Sequence, residues 1–268
     1  MEQVNWVMAK AKFWKDMPAP GRPWPSEVEW FEKYIKEKKE TGKTNVLILG
    51  ATVEFRSLCH KYGMKVTLVD FSQEFVDIIS QQPMAYKGPE KIHIQNWIEM
   101  DLGEQFDLVL GDWVPGVLNF KYYDQFWKNI IKHLKDDGLF IGREGLRPNR
   151  SILSLEEAVK EHYAKYSKEG NLYQSIGDYM YGYQAGADNM GNMPAAKEEF
   201  ERINGLGIVT KEDYEFVKRA TAVEGANASM MVQADFEKYI QKYFSIMALH
   251  YGREHTAQWH PIYVLKKK

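Results

Sequence analysis

Val46-Leu47-Ile48-Leu49-Gly50-Ala51-Thr52-Val53-Glu54 runs from four apolar residues through a single glycine into the start of a helical pattern. A short apolar run closed by a turn is the pattern of a strand buried on both faces. Working outward, Glu54–Tyr62 reads as a short helix ending near Gly63, and Val66–Val69 as a second strand ending at Asp70. Ser72 is placed to cap a helix carrying Phe75, Val76 and Ile79. Ile92–Ile94 is a weaker third strand, and Phe106–Leu110 a fourth, followed by Gly111-Asp112. Tyr123, Phe126, Ile130, Ile131 and Leu134 mark an amphipathic helix closed by Gly138, and Leu139–Ile141 is a fifth strand. Strands alternating with helices in this way predict a parallel sheet covered on both faces.

The rhythm breaks after Arg143. Ser154-Leu155-Glu156-Glu157 reads as a capping box and Thr210-Lys211-Glu212-Asp213 resembles another, while the Tyr-, Gly- and Met-rich stretch Asn171 to Met193 between them reads as loop. Residues 147–234 are therefore expected to be a mostly helical insertion. Asp235 is placed to cap a last helix, Phe236–Tyr243, before Ser245–His250 and Ile262–Leu265 form an antiparallel hairpin at the sheet edge. Residues 1–25 are irregular and rich in Pro and aromatic residues, among them Phe13, Trp14 and Trp24; Ser26-Glu27-Val28-Glu29 then predicts a capping box opening a helix. The chain has 268 residues, 44% of them hydrophobic, enough for one large core. A formal net charge of −2 gives no basic excess toward nucleic acid, and Cys59, the sole cysteine, allows no disulfide within the chain and no Cys-rich metal site. No stretch approaches a membrane span, and a cytoplasmic setting fits best.

Open parallel sheets bind ligands beyond the carboxyl ends of their strands. Gly50, Asp70 and Gly111-Asp112 all fall at such ends, and Asp70 follows Gly50 by 20 residues, the spacing at which an acid reaches a nucleotide ribose. A dinucleotide calls for G-x-G-x-x-G after the first strand. Here the turn has one glycine, and Glu54 would repel a phosphate at the helix N-terminus. An adenosine-bearing ligand without phosphate fits the loop better, and S-adenosylmethionine is one.

Val46-Leu47-Ile48-Leu49-Gly50-Ala51-Thr52-Val53-Glu54-Phe55-Arg56 resembles the first motif of a class I methyltransferase subgroup reading roughly L-G-x-T-P-E-L-R, with Val53 for Pro and Phe55 for Leu. Val66 to Ser72 is similar to the ribose motif of that class, and Asn96-Trp97 holds the place of its adenine-contacting pair. The resemblance implies an α/β, Rossmann-like, doubly wound and mostly parallel seven-stranded sheet, with an antiparallel edge hairpin and a helical insertion after strand five. It implies one domain: an N-terminal lid and helix over 1–44, a cofactor-binding core over 45–146, a helical substrate cap over 147–234, and a C-terminal helix with edge strands over 235–268. The implied cofactor is S-adenosyl-L-methionine, held by Gly50, Ala51, Thr52, Asp70, Phe71, Ser72, Asn96, Trp97, Asp112 and Trp113.

The expected partner is a small-molecule acceptor; membrane and nucleic acid are disfavoured, and a homo-oligomer is left open. The sequence singles out no catalytic base: Asp112, or a Tyr or His of the insertion, is a candidate, and no acidic cluster is visible near strand four beyond Asp112. Competing readings are a cofactor-binding protein without catalysis, an aminopropyltransferase using decarboxylated S-adenosylmethionine, and, disfavoured by the single-glycine turn, an NAD-dependent oxidoreductase. Glu54 and Arg56 could pair on the surface or meet the charged tail of the cofactor. His250, His255 and His260 read as ordinary loop and strand histidines rather than metal ligands, and the tyrosines of the insertion as core or acceptor lining.

Overall fold

The computed structural model describes residue 13 and residues 16–82, 88–186, 189–222 and 228–268. The elements run α1 (Pro25–Glu40), β1 (Asn45–Leu49), α2 (Val53–Lys61), β2 (Lys65–Asp70), α3 (Gln73–Ser80), β3 (Glu90–Ile94), β4 (Phe106–Asp112), α4 (Tyr123–His133) and β5 (Leu134–Arg143). They continue with α5 (Leu155–Glu161), α6 (Leu172–Tyr181), α7 (Met193–Gly205), α8 (Lys211–Ala220), α9 (Gln233–Ile240), β6 (Phe244–His250) and β7 (Ile262–Lys267). The strands form one seven-stranded sheet in the order β3-β2-β1-β4-β5-β7-β6. The pairs from β3 through β5 are parallel; β7 is antiparallel to both β5 and β6. This is a Rossmann-like, doubly wound sheet with an antiparallel edge.

Residue alternation sorts the strand side chains between two cores. Val46, Ile48, Val66, Leu108 and Leu110 face α1 and α2, where Phe31, Ile35 and Phe55 meet them. Leu68 on that face packs with Val76 and Ile79 of α3. Leu47, Leu49, Val69 and Val109 face α4 and α9, against Phe126, Trp127, Ile130, Phe236 and Ile240. Each fully buried large apolar side chain contributes about 1.5–3 kcal/mol, so a sheet filled on both sides holds the strand tips as a rigid platform. A third cluster lies in the insertion: Leu155, Val159, Leu172, Ile176, Phe200 and Val217 of α5–α8, joined by Met17 from the N-terminal segment.

Several boundaries differ from the sequence reading. Pro25 takes the first position of α1 and Trp24 its N-cap, so Glu27, not Glu29, reaches back, accepting from Trp24 N–H at 2.8 Å. Ser26 is thereby released from capping; its hydroxyl donates to Glu254 and accepts from Arg253 N–H. The capping box at Ser154 and Glu157 forms, and Thr210 caps α8. The stretch from Asn171 is not loop: Asn171 and Gln174 make a third capping box and open α6. Leu134 belongs to β5 rather than α4, and the β4–β5 register shifts between Phe106 and Leu108 to admit the extra residues.

Candidate active site

The carboxyl edge of the sheet is built from the tips of β1, β2, β4 and β5. Gly50 turns the chain out of β1 with φ +87, a region that favours glycine, while its N–H holds Val69 O at 2.8 Å. A Cβ there would stand at ordinary contact distances, 3.6 Å from the Trp97 ring and 3.9 Å from Asp70 Oδ2, so it is the positive φ that favours glycine. Ala51 and Thr52 follow, both buried, with Thr52 the N-cap of α2.

Asp70 ends β2. It is buried, and Oδ1 accepts from Ser72 N–H at 2.9 Å. Burial pushes its carboxyl up to about 6, against the lowering pull of backbone N–H groups from Ser72 and Phe71. Phe71 is half-buried, and the Ser72 hydroxyl caps α3 by accepting from Phe75 N–H. Asn96 is exposed, its Oδ1 accepting from Ile98 N–H. Trp97 is buried and donates its indole N–H to Val69 O at 2.8 Å. Trp97 thus packs beneath the Gly50 turn, and Asn96 sits on the rim beside it.

Asp112 ends β4, and its Oδ1 accepts from Arg143 Nε at 2.6 Å. Arg143, at the end of β5, is buried; it also donates to Glu27 Oε2 at 3.0 Å and to Pro20 O at 3.0 Å. One guanidinium therefore ties together β4, β5, α1 and the N-terminal segment. Asp178 and Glu144 lie within electrostatic reach of the same cluster. Burial raises the carboxyls of Glu27 and Glu144, with Arg143 pulling both down. The expectation of no acidic cluster beyond Asp112 is thus corrected: Glu27, Glu144 and Asp178 join it from α1, the end of β5 and α6.

Trp113 follows with φ +56, unusual for a tryptophan, and its N–H is held by Arg143 O at 2.7 Å. Its ring stands edge-on to Tyr181, at 5.2 Å between centroids, and to His260, at 6.0 Å. Gly145 makes room for it: a Cβ there would fall 1.1 Å from Trp113 Nε1.

Glu54 and Arg56 do not pair with each other, and both are buried. Arg22 donates to Glu54 Oε1 at 2.6 Å, across the tip of β1. Arg56 instead makes two hydrogen bonds to Glu90, at 2.9 and 2.6 Å, behind the sheet edge. The three histidines are dispersed. His250 stacks on Trp30, His255 stacks on Tyr166, and His260 lies beside Asp178. Among the described residues no group of three or more His, Cys, Asp and Glu could hold a metal ion. Arg143-Glu144 had a readable signal, a charged pair closing an apolar strand. Arg22, Glu27, Asp178 and His260 had none, because each reaches the site from a separate part of the chain.

The chain matches no family model and no curated protein sequence. Its fold recurs among solved structures. A structure titled as putative Zn-dependent alcohol dehydrogenases from Rhodobacter sphaeroides aligns with a TM-score of 0.62 at 15% identity, covering 100% of this chain and 98% of that one. The magnesium protoporphyrin IX methyltransferase ChlM from Synechocystis PCC 6803, with bound S-adenosylhomocysteine, aligns at 0.54 and 10% identity, covering 100% and 97%. The N-methyltransferase NodS from Bradyrhizobium japonicum WM9, in complex with S-adenosylhomocysteine, aligns at 0.53 and 9% identity, covering 98% of both chains. The fold is the Rossmann-like one of these methyltransferases, along nearly the whole chain.

Proposed function

We propose that the chain is an S-adenosylmethionine-dependent methyltransferase acting on a small-molecule acceptor. The observation that carries this reading is Asp70: a buried carboxyl with no cation beside it among the described residues, next to the Gly50 turn at the strand tips. A ribose diol would add two O–H donors to the backbone N–H groups of Ser72 and Phe71 that this carboxylate already accepts, and the Gly50 turn, bare of a side chain, would let an adenosine lie against the main chain. Two structures of this fold contain S-adenosylhomocysteine, which supports the same ligand here. The main chain of Gly50, Ala51 and Thr52 would line the cofactor, with Phe71, Ser72 and Asn96 on the adenosine side above Trp97. Asp112 and Trp113 would stand toward the reacting end. The cofactor supplies an activated methyl group on a sulfonium; the protein supplies position, charge and exclusion of water.

Arg143 fixes Asp112 in place, so we assign Asp112 to positioning and electrostatics rather than to proton removal. Residues 1–44 and 147–234 would act as lid and acceptor cap over the 45–146 core, with 235–268 completing the sheet. Trp14, part of the expected lid, lies outside the described residues. No helix among the described residues is long and apolar enough to cross a membrane, and a cytoplasmic enzyme remains our reading. One second reading has an observation in its favour: the carboxyl cluster around Arg143 also suits an aminopropyl transfer to a polyamine. Calorimetry separates these. S-adenosylmethionine and S-adenosylhomocysteine are expected to bind at micromolar levels, decarboxylated S-adenosylmethionine more weakly, and NAD not at all. Binding of NAD with no response to millimolar S-adenosylhomocysteine would overturn the methyltransferase reading.

A further inference from the structure

We propose that the acceptor end of the site is the buried pair Asp178 and His260, and that it takes an amine. The inference rests on the methyltransferase reading and adds its substrate class. Both side chains are fully shielded from solvent. His260 Nε2 lies 3.0 Å from Asp178 Oδ1 but off the line of a hydrogen bond, so among the described residues neither Asp178 oxygen and neither His260 nitrogen has a hydrogen-bond partner. Leaving a buried polar atom unpaired costs about 1–3 kcal/mol. Several in one place mark where a polar group of a ligand belongs.

The pair stands at the carboxyl edge. His260 precedes β7, whose first residue, Ile262, pairs with Arg143 at the end of β5. The Trp113 ring, one residue beyond Asp112 at the tip of β4, lies edge-on to His260. Ser175 and Tyr179, near Asp178 on α6, and Trp259, which precedes His260, line an adjoining cavity of about 130 Å³; neither Asp178 nor His260 lines it.

The chemistry of the unfilled atoms selects the ligand. Both oxygens of Asp178 lack donors among the described residues, and a carboxylate oxygen only accepts. Arg143 already gives its N–H groups to Asp112, Glu27 and Pro20 O. With burial shifting Glu27 and Glu144 toward their neutral forms, Asp112 and Asp178 share that guanidinium. A ligand that balances them brings N–H donors and positive charge. An alcohol brings one donor and no charge, and a carboxylate brings charge of the wrong sign. Trp113 and Tyr181 add aromatic surface, which favours a cation.

An ammonium group has no lone pair to attack with, so it must first lose a proton. His260 takes that proton on a ring nitrogen, and Asp178 offsets the resulting imidazolium charge. The freed amine lone pair forms the N–C bond as the methyl C–S bond breaks, and the C–S electron pair stays on sulfur. The product is a methylated ammonium; nothing is oxidised or reduced.

The test compares phenethylamine, phenethyl alcohol and phenylacetate, near-isosteric probes differing in charge, by calorimetry on the full chain with and without S-adenosylhomocysteine. The amine is expected to bind at least tenfold more tightly than the alcohol, and phenylacetate not to bind. Asp178→Asn should abolish that preference while S-adenosylhomocysteine affinity stays within about threefold of wild type. His260→Asn, a second variant if Asp178→Asn does not fold, should keep the amine bound but lose methyl transfer to it. Equal binding of amine and alcohol, or no amine binding, overturns the inference. Because the series is also run without the cofactor product, failure of S-adenosylhomocysteine to bind would count against the methyltransferase reading separately.

Discussion

At the scale of single residues, Asp70 carries the sharpest consequence. Its folded-state carboxyl titrates at about 6 against an ordinary 3.8 because burial disfavours the charge. As pH falls from about 6 toward 4, the folded protein takes up the proton before the unfolded chain does, so this group's contribution to stability rises as pH falls and declines as pH rises through that window. Above about 6 it remains a constant destabilising contribution. On the proposed cofactor reading, ligand binding runs the other way, because only the carboxylate would accept both ribose hydroxyls. Asp70→Asn is therefore expected to melt no lower than wild type at pH 7.5, yet to bind S-adenosylhomocysteine at least tenfold more weakly. A charge-assisted hydrogen bond is worth about 1.5–3 kcal/mol, and tenfold corresponds to about 1.4 kcal/mol. Wild-type affinity should also weaken between pH 7 and pH 5, with the variant flat over that range. Calorimetry and thermal melts across pH check both; unchanged affinity in a folded Asp70→Asn would remove the residue from the site.

At the scale of elements, one buried ion pair joins α2, α3 and β3 beneath the site. Arg56 spans from α2 to Glu90 at the start of β3 and to the Ser80 hydroxyl at the end of α3. The side chains of Arg56 and Glu90 are only 3% and 5% exposed. Glu90 also meets His60 Nε2 at 3.0 Å, so it is removal of Glu90 that leaves the Arg56 charge buried and unpaired, which costs about 3–5 kcal/mol. Glu90→Ala should lose stability of that order in urea unfolding, and the double substitution Arg56→Met with Glu90→Leu should recover most of it. A loss below about 1 kcal/mol would show that water replaces the pair; the boundary between structural and surface pairs is about there. The same elements show what is legible in sequence. β1, β2 and β4 announce themselves because strands buried on both faces are mostly apolar runs, and Asp70 and Asp112 because they close such runs. α6 is hidden because its Tyr- and Gly-rich composition gives a weak helical pattern, although Asn171 and Gln174 cap it. Asp178 and His260 are hidden for a deeper reason. They meet from 82 positions apart, across a chain reversal that no local periodicity encodes.

At the scale of the whole molecule, the N-terminal segment is laid across the strand tips. Arg22 meets Glu54 above β1, Pro20 O meets Arg143 at the end of β5, and Met17 is buried among the helices of the insertion. A ligand seated beneath these contacts should hold them shut. Limited proteolysis with S-adenosylhomocysteine is expected to slow cleavage within residues 16–24 and in the turn 182–186 by several-fold; equal rates alongside demonstrated binding would show that the segment only pads the sheet. The position of β7 has a different consequence. Last of the strands in sequence, it lies inside the sheet, between β5 and β6. A chain leaving the ribosome therefore makes five parallel strands and the whole helical insertion while the flank of β5 still lacks its neighbour. Such distant pairing is slow to form, and an open strand flank invites the wrong partner. Arg143, Asp112 and Asp70 can take their places early in synthesis, but His260 is delivered only with β7. A chain made only as far as β5 thus holds Asp70, Asp112 and Arg143 of the proposed site without His260.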